Sequence, residues 1–241
     1  MEQLADLWSR VTASQPALDA PLVWLALAVS AAAVLTPAWR LSRHGVTIVH
    51  EAGHGFAAFL TGRRLNGIRL HSDTSGVTVS VGRPSGLGMA LTLLAGYPGP
   101  AAVGLGAAAL VGLGHPAGAL WALLGLLVLV LVQIRNWFGL WSILVAGTAV
   151  FALTWWGPAE WQSFGAVAVS GFLLLGGVRT VLELQSARRR LGRGRRGTTD
   201  ADQLSRVAGL PGLLWVGFFL LLALACAGAG ALLLLRLPPP W

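Results

Sequence analysis

Apolar runs divide this chain almost from end to end. Stretches from Pro21 to Trp39, Gly45 to Gly62, Leu87 to Val111, Ala117 to Ile134, Trp137 to Trp156, Phe164 to Leu184 and Leu210 to Leu235 are separated by short polar segments. Each approaches or exceeds the roughly 18 apolar residues that cross a bilayer as a helix. The pattern predicts an all-α polytopic membrane protein with about seven transmembrane helices. Two regions depart from it. Between residues 66 and 82 the period falls to two, with Ile68 and Leu70 before Asp73–Gly76 and then Val77, Val79 and Val81 spaced by Thr78 and Ser80; this predicts a β-hairpin. In residues 1–19, Leu4, Leu7, Trp8 and Val11 follow helical spacing, so the segment reads as an amphipathic surface helix or a disordered tail. Residues 20–241 read as a single integral membrane domain, with Pro21–Trp39 as a retained anchor.

Glycine and proline refine the picture. Gly96, Pro98, Gly99 and Pro100 fall inside the third run and predict a kink or break, which a membrane tolerates only where protein or a watery cavity receives the freed backbone groups. Gly165, Gly171, Gly176 and Gly177 predict a smooth packing face on the sixth helix. The junction at Arg135 and Asn136 is short enough for one broken helix or a tight re-entrant turn.

Composition agrees: 55% hydrophobic and only 11% charged residues exclude an ordinary soluble domain of 241 residues. The net charge of +8 comes from arginine alone. The basic loop at 186–207, with its Arg188 to Arg196 run, carries no interleaved aromatics, so its expected partner is anionic lipid and not nucleic acid. With the N-terminus in the cytoplasm, Arg63, Arg64, Arg69, Arg83, Arg135 and the arginines from Arg188 to Arg206 fall inside. Arg40, Arg43 and Arg236 are left outside with the C-terminus, and the positive-inside bias favours that orientation. The hairpin is then cytoplasmic, and Trp155, Trp156 and Trp161 mark the outer interface. Cys226 has no partner and reads as a small buried hydrophobe.

The second run holds the chemistry. His50-Glu51-Ala52-Gly53-His54 is an HExxH pattern. Residues four apart share a helix face, so both imidazoles reach one metal, with Glu51 beside it as a general base. Ionisable groups at intermediate membrane depth are costly unless paired or metal-bound, and they mark function. Zinc is the metal this donor set favours, and it requires a third protein ligand and an open position. Small residues at Ala52 and Gly53 let another backbone approach.

The stretch from His50 to Gly62, followed by Asn66-Gly67-Ile68, resembles the active-site helix of the site-2 protease family of intramembrane zinc metallopeptidases. Ala95-Gly96-Tyr97-Pro98-Gly99-Pro100, Arg135-Asn136-Trp137-Phe138-Gly139 and Thr199-Asp200-Ala201 resemble a bacterial branch of that family lacking its LDG motif. The resemblance implies one catalytic Zn2+ on His50, His54 and Asp200, with Glu51 catalytic. Thr199 to Asp202 also forms a T-x-x-D capping box, so Asp200 or Asp202 is alternatively a helix cap. Glu183, Asp73 and Asp202 are the other carboxylates within reach, and His71 reads as a solvated loop residue.

Asn136, Val77 and Val79 are the expected substrate contacts, with the hairpin edge holding an extended peptide. The expected activity is hydrolysis of peptide bonds in or near a membrane span of a single-pass protein. A catalytically silent metal-binding pseudoprotease or chaperone, or a transporter, are the other readings.

Overall fold

The computed structural model describes residues 2–190 and 199–235. In chain order the elements are α1 (Glu2–Thr12), α2 (Ala20–Leu35), α3 (Trp39–Leu60), β1 (Arg64–Leu70), β2 (Gly76–Val81), α4 (Leu87–Leu94) and α5 (Pro98–Gly112). They continue through α6 (Pro116–Gln133), α7 (Trp137–Trp156), α8 (Ala159–Arg190), α9 (Asp200–Ala208) and α10 (Gly212–Leu235).

Helix α8 is the axis of the bundle, and α2, α5 and α10 pack along it. Its glycines permit that approach. A Cβ at Gly171 would lie 2.9 Å from Ser30 Oγ of α2, one at Gly176 would lie 2.7 Å from Val46 of α3, and one at Gly177 would lie 3.3 Å from the Ala101 nitrogen of α5. The smooth face expected from the sequence is therefore a surface on which three helices seat.

Among the described residues four helices, α6, α7, α8 and α10, are each long and apolar enough to cross a membrane, and the number rises to as many as six if each of two bent pairs is one span. The expected seven is not reached, because Pro21–Trp39 and Gly45–Gly62 are not two upright spans. Helix α2 stops at Thr36-Pro37, where proline cannot continue it, and α3 leaves at 98°. The second bent pair is α4 and α5, at 62°. By contrast α6 and α7 are separate helices packed together. The link between them is extended: Ile134 pairs in parallel with Ile68, and the Arg135 N–H donates to the Ile68 carbonyl at 2.9 Å.

The α2–α3 bend also changes which parts of the chain share an end of the molecule. Helix α1 packs at the N-terminal end of α6, where the Gln15 N–H donates to the Gly114 carbonyl and Arg10 lies over Trp155. The hairpin packs at the C-terminal end of α6, 18 residues away, or about 27 Å at 1.5 Å per residue. The N-terminus and the hairpin thus occupy opposite ends of the molecule instead of one side. Leu234, near the end of α10, shares a core cluster with Leu18, so the end of α10 lies beside the segment that leads into α2. Arg43, expected outside, donates from Nη1 to Thr74 Oγ1 in the hairpin turn at 2.8 Å, and so belongs to the hairpin end.

The hairpin itself is antiparallel, with Ile68 opposite Thr78 and a bulge between Leu65 and Gly67, where Gly67 adopts φ 131°. Strand β1 lies between β2 and the 134–136 link. Its residues Ile68 and Leu70 are buried, while Val77, Val79 and Val81 of β2 are exposed. Among the described residues, the outer edge of β2 carries no strand.

Candidate metal centre

Helix α3 is unbroken through its HExxH stretch, so His50 and His54 stand one turn apart on the same face. Their Nε2 atoms are 3.1 Å apart. Asp200, in the first turn of α9, brings Oδ2 to 3.3 Å from His50 Nε2 and 3.2 Å from His54 Nε2. Among the described residues, this is the one group of three side chains arranged to hold a metal ion. Three ligand atoms converging this closely could hold a metal ion. Four ligands at the usual zinc distances of about 2.0–2.1 Å stand about 3.3 Å from one another in a tetrahedron, so the spacing of these three fits zinc with one position left open.

Each member is held from behind. The carbonyl of Thr92 lies 2.7 Å from His54 Nδ1; accepting a proton there leaves Nε2 free to face Asp200, the outer support usual for metal-binding imidazoles. His50 packs edge-on against Tyr97, ring centres 4.7 Å apart, and Tyr97 stacks on Phe219 of α10 at 5.2 Å. Burial would raise the Asp200 carboxyl, but the charges of His54 and His50 and their hydrogen bonds outweigh it and hold the group well below the usual carboxylate range.

The break between α4 and α5 lies directly against this face. A Cβ at Gly53 would strike the Ala95 carbonyl, and one at Gly99 would lie 3.0 Å from the Val49 carbonyl. A Cβ at Gly96 would fall 2.5 Å from His54 Cε1 and 2.7 Å from His50 Cε1. Only a backbone without side chains approaches the imidazoles this closely.

Glu51 is buried on the hairpin side of α3. Its Oε2 accepts from Thr78 Oγ1 at 2.6 Å. A cavity of about 870 Å³ joins Glu51, the two histidines and Asp200, with Thr78 and Tyr97 also on its wall. Helix geometry alone places Glu51 next to the metal-binding face; the hairpin fixes where its carboxylate points.

The other expected residues divide. Val77 lines the cavity and is exposed, whereas Val79 is exposed on the same strand but off the cavity wall. Asn136 is committed elsewhere: its Nδ2 donates to the Leu70 carbonyl at 2.6 Å and its Oδ1 accepts the Leu70 N–H at 3.1 Å, so the side chain pairs with β1 as a backbone would. It caps no helix.

Asp202 realises the capping box, with its N–H and carboxylate both on Thr199 Oγ1, and Arg188 binds its Oδ1 at 2.6 Å. Glu183 accepts from the Trp39 indole and from Arg179, and pairs with Arg43 at 3.3 Å. Asp73 and His71 share Ser75 in the hairpin turn, and the Ser75 hydrogen bonds lower the Asp73 carboxyl. None of these four stands in the three-residue cluster. Arg193, Arg195 and Arg196 of the basic run lie outside the described residues.

Sequence reasoning missed Thr78, Tyr97 and the Thr92 carbonyl as parts of this site. The alternation of β2 did carry a signal for Thr78, since it places Thr78 and Ser80 on the face opposite the valines.

A family model described as Peptidase M50B-like matches residues 22–230. No curated protein and no solved structure matches the chain.

Proposed function

The chain belongs to the Peptidase M50B-like family, and from that premise we propose that it is a zinc-dependent endopeptidase that cuts membrane-protein substrates in or near their transmembrane segments. The observation that carries this is the convergence of His50 Nε2, His54 Nε2 and Asp200 Oδ2 beside a buried, oriented glutamate. Those three side chains would hold one Zn2+, which when bound supplies Lewis acidity to the scissile carbonyl and to water.

Glu51 takes a proton from the attacking water as its oxygen bonds to the carbonyl carbon. It returns that proton to the amide nitrogen as the C–N bond breaks. The outer edge of β2 offers backbone groups to an extended peptide, with Val77 and Val79 beside it. A single-pass helix unwound against this edge is the substrate the site suits. Asn136 serves that edge at one remove, by bracing β1.

The protein is an integral membrane protein. We place the hairpin end in the cytoplasm, because Arg43, Arg63, Arg64, Arg69, Arg83, Arg135 and Arg188–Arg190 all gather there. The basic segment around 188–196 would meet anionic lipid on that side. A silent pseudoprotease is disfavoured by the care with which Glu51 is held.

The test is metal content and cleavage of a model transmembrane peptide by purified protein. Glu51→Gln is expected to keep zinc and lose at least about 100-fold in turnover, while His54→Ala and Asp200→Asn lose zinc and turnover together. Full zinc and full activity in Asp200→Asn would remove Asp200 from the ligand set.

A further inference from the structure

Strand β2 does more at Glu51 than cover it. Thr78 Oγ1 lies 2.6 Å from Glu51 Oε2 and 3.1 Å from the Glu51 main-chain carbonyl, so a single hydroxyl spans the side chain and the backbone of one residue. Gly76, two residues earlier on the same face, leaves the space the carboxylate occupies: a Cβ there would lie 2.6 Å from both Glu51 Cγ and Oε1. The glutamate is thus hydrogen-bonded at one oxygen and shaped by a missing side chain at the other.

The strand that does this is itself fixed. Thr78 is paired with Ile68, which is 1% exposed and bridged in turn to Ile134. At the turn, Thr47 Oγ1 donates to the Thr74 carbonyl at 2.9 Å, a second tie between the hairpin and α3.

We infer that Thr78 is a positioning residue for Glu51, with Gly76 providing the clearance, so that the strand offered to the substrate also sets the attitude of the proton-transferring carboxylate. This rests on the proteolytic reading above. A glutamate with two staggered torsions and a third, broad one at its carboxylate has many orientations open to it. A short hydrogen bond from a rigid strand selects one, which is what proton transfer to a water at a fixed place needs. The valines on the other face of β2 carry no such contact with Glu51, so the strand divides its work by face: Thr78 inward to the base, Val77 and Val79 outward.

The experiment compares Thr78→Val, Thr78→Ser and Gly76→Ala with the unsubstituted protein in zinc content, in kcat and KM on a transmembrane peptide, and in the carboxylate infrared band that disappears in Glu51→Gln. Thr78→Val is expected to keep full zinc, to hold KM within about twofold and to lower kcat by about 10- to 100-fold. Its infrared band should shift, and Thr78→Ser should restore both band and kcat. Gly76→Ala should resemble Thr78→Val. In the Glu51→Gln background Thr78→Val should add no further loss. An unshifted band with unchanged kcat would overturn the role given to Thr78 and leave the proteolytic reading standing. No turnover in the unsubstituted, zinc-loaded protein would overturn the proteolytic reading and the positioning role with it.

Discussion

Both helix breaks beside the cavity free backbone carbonyls, and the two dispose of them differently. At the end of α2 the carbonyls are closed off by side chains: Thr36 Oγ1 donates to Ala32 O and Ser42 Oγ to Ala33 O, each at 2.7 Å, and the Arg179 guanidinium donates to Val34 O. Arg179 is steadied by Glu183, which also receives the Trp39 indole and faces Arg43. At the end of α4 no such polar clamp is present among the described residues. Glycines bring the bare backbone against α3 instead, and the freed Thr92 carbonyl is taken up by His54. The first break is a sealed structural corner. The second leaves an acceptor open and the site uses it, as expected where irregular backbone lines a cavity.

Substitutions at each break test that distinction. The largest effect is expected from Gly96→Ala, whose added methyl meets both imidazoles: zinc affinity should fall by about 100-fold or more and activity with it, measured by competition with a chelator. Glu183→Ala is expected to act on stability, since it unties Arg179, Arg43 and Trp39 from the α2–α3 corner. A loss of about 1–3 kcal/mol, read as a lower unfolding temperature in detergent, should leave zinc bound in the folded fraction. If Glu183→Ala strips zinc as thoroughly as Gly96→Ala, the corner is part of the site and the contrast fails. Smallest is Pro98→Ala. Pro98 opens α5 where its missing N–H is no loss, so the change should cost under about 1 kcal/mol. A large loss of zinc there would mean that proline, and not the glycines, makes the second break.

How much of this was legible depended on whether the cause was local. The HExxH spacing, the small residue at Gly53, the hairpin period and the break at Gly96–Pro100 are properties of neighbouring residues, and each was readable before any coordinates. The Thr199–Asp202 segment was read as a choice between cap and ligand. The structure divides the two: Asp202 takes the cap, which turns Asp200 toward the imidazoles.

What depended on distant partners was not readable. The bend at Thr36-Pro37, which makes one broken pair of two expected spans, depended on a stop signal lying inside one long apolar run. The bend there puts Arg43 at the hairpin end and the N-terminal helix at the opposite end, where the sequence expected the N-terminal segment and the hairpin on one side. Asn136 is expected at the substrate because nothing local shows its partner, Leu70, which lies 66 residues away.

The length of α8 has its own consequence. Its 32 residues measure about 48 Å, some 18 Å more than the roughly 30 Å of a bilayer's hydrocarbon. With Trp161 anchored at one boundary of an upright helix, about twenty residues exhaust the oily layer near Val181. Thr180, Glu183 and Leu184 stand at that level on the cavity wall. The helix is thus longer than the oily layer is thick, and standing upright it would bring its cavity-lining stretch to the far boundary of that layer.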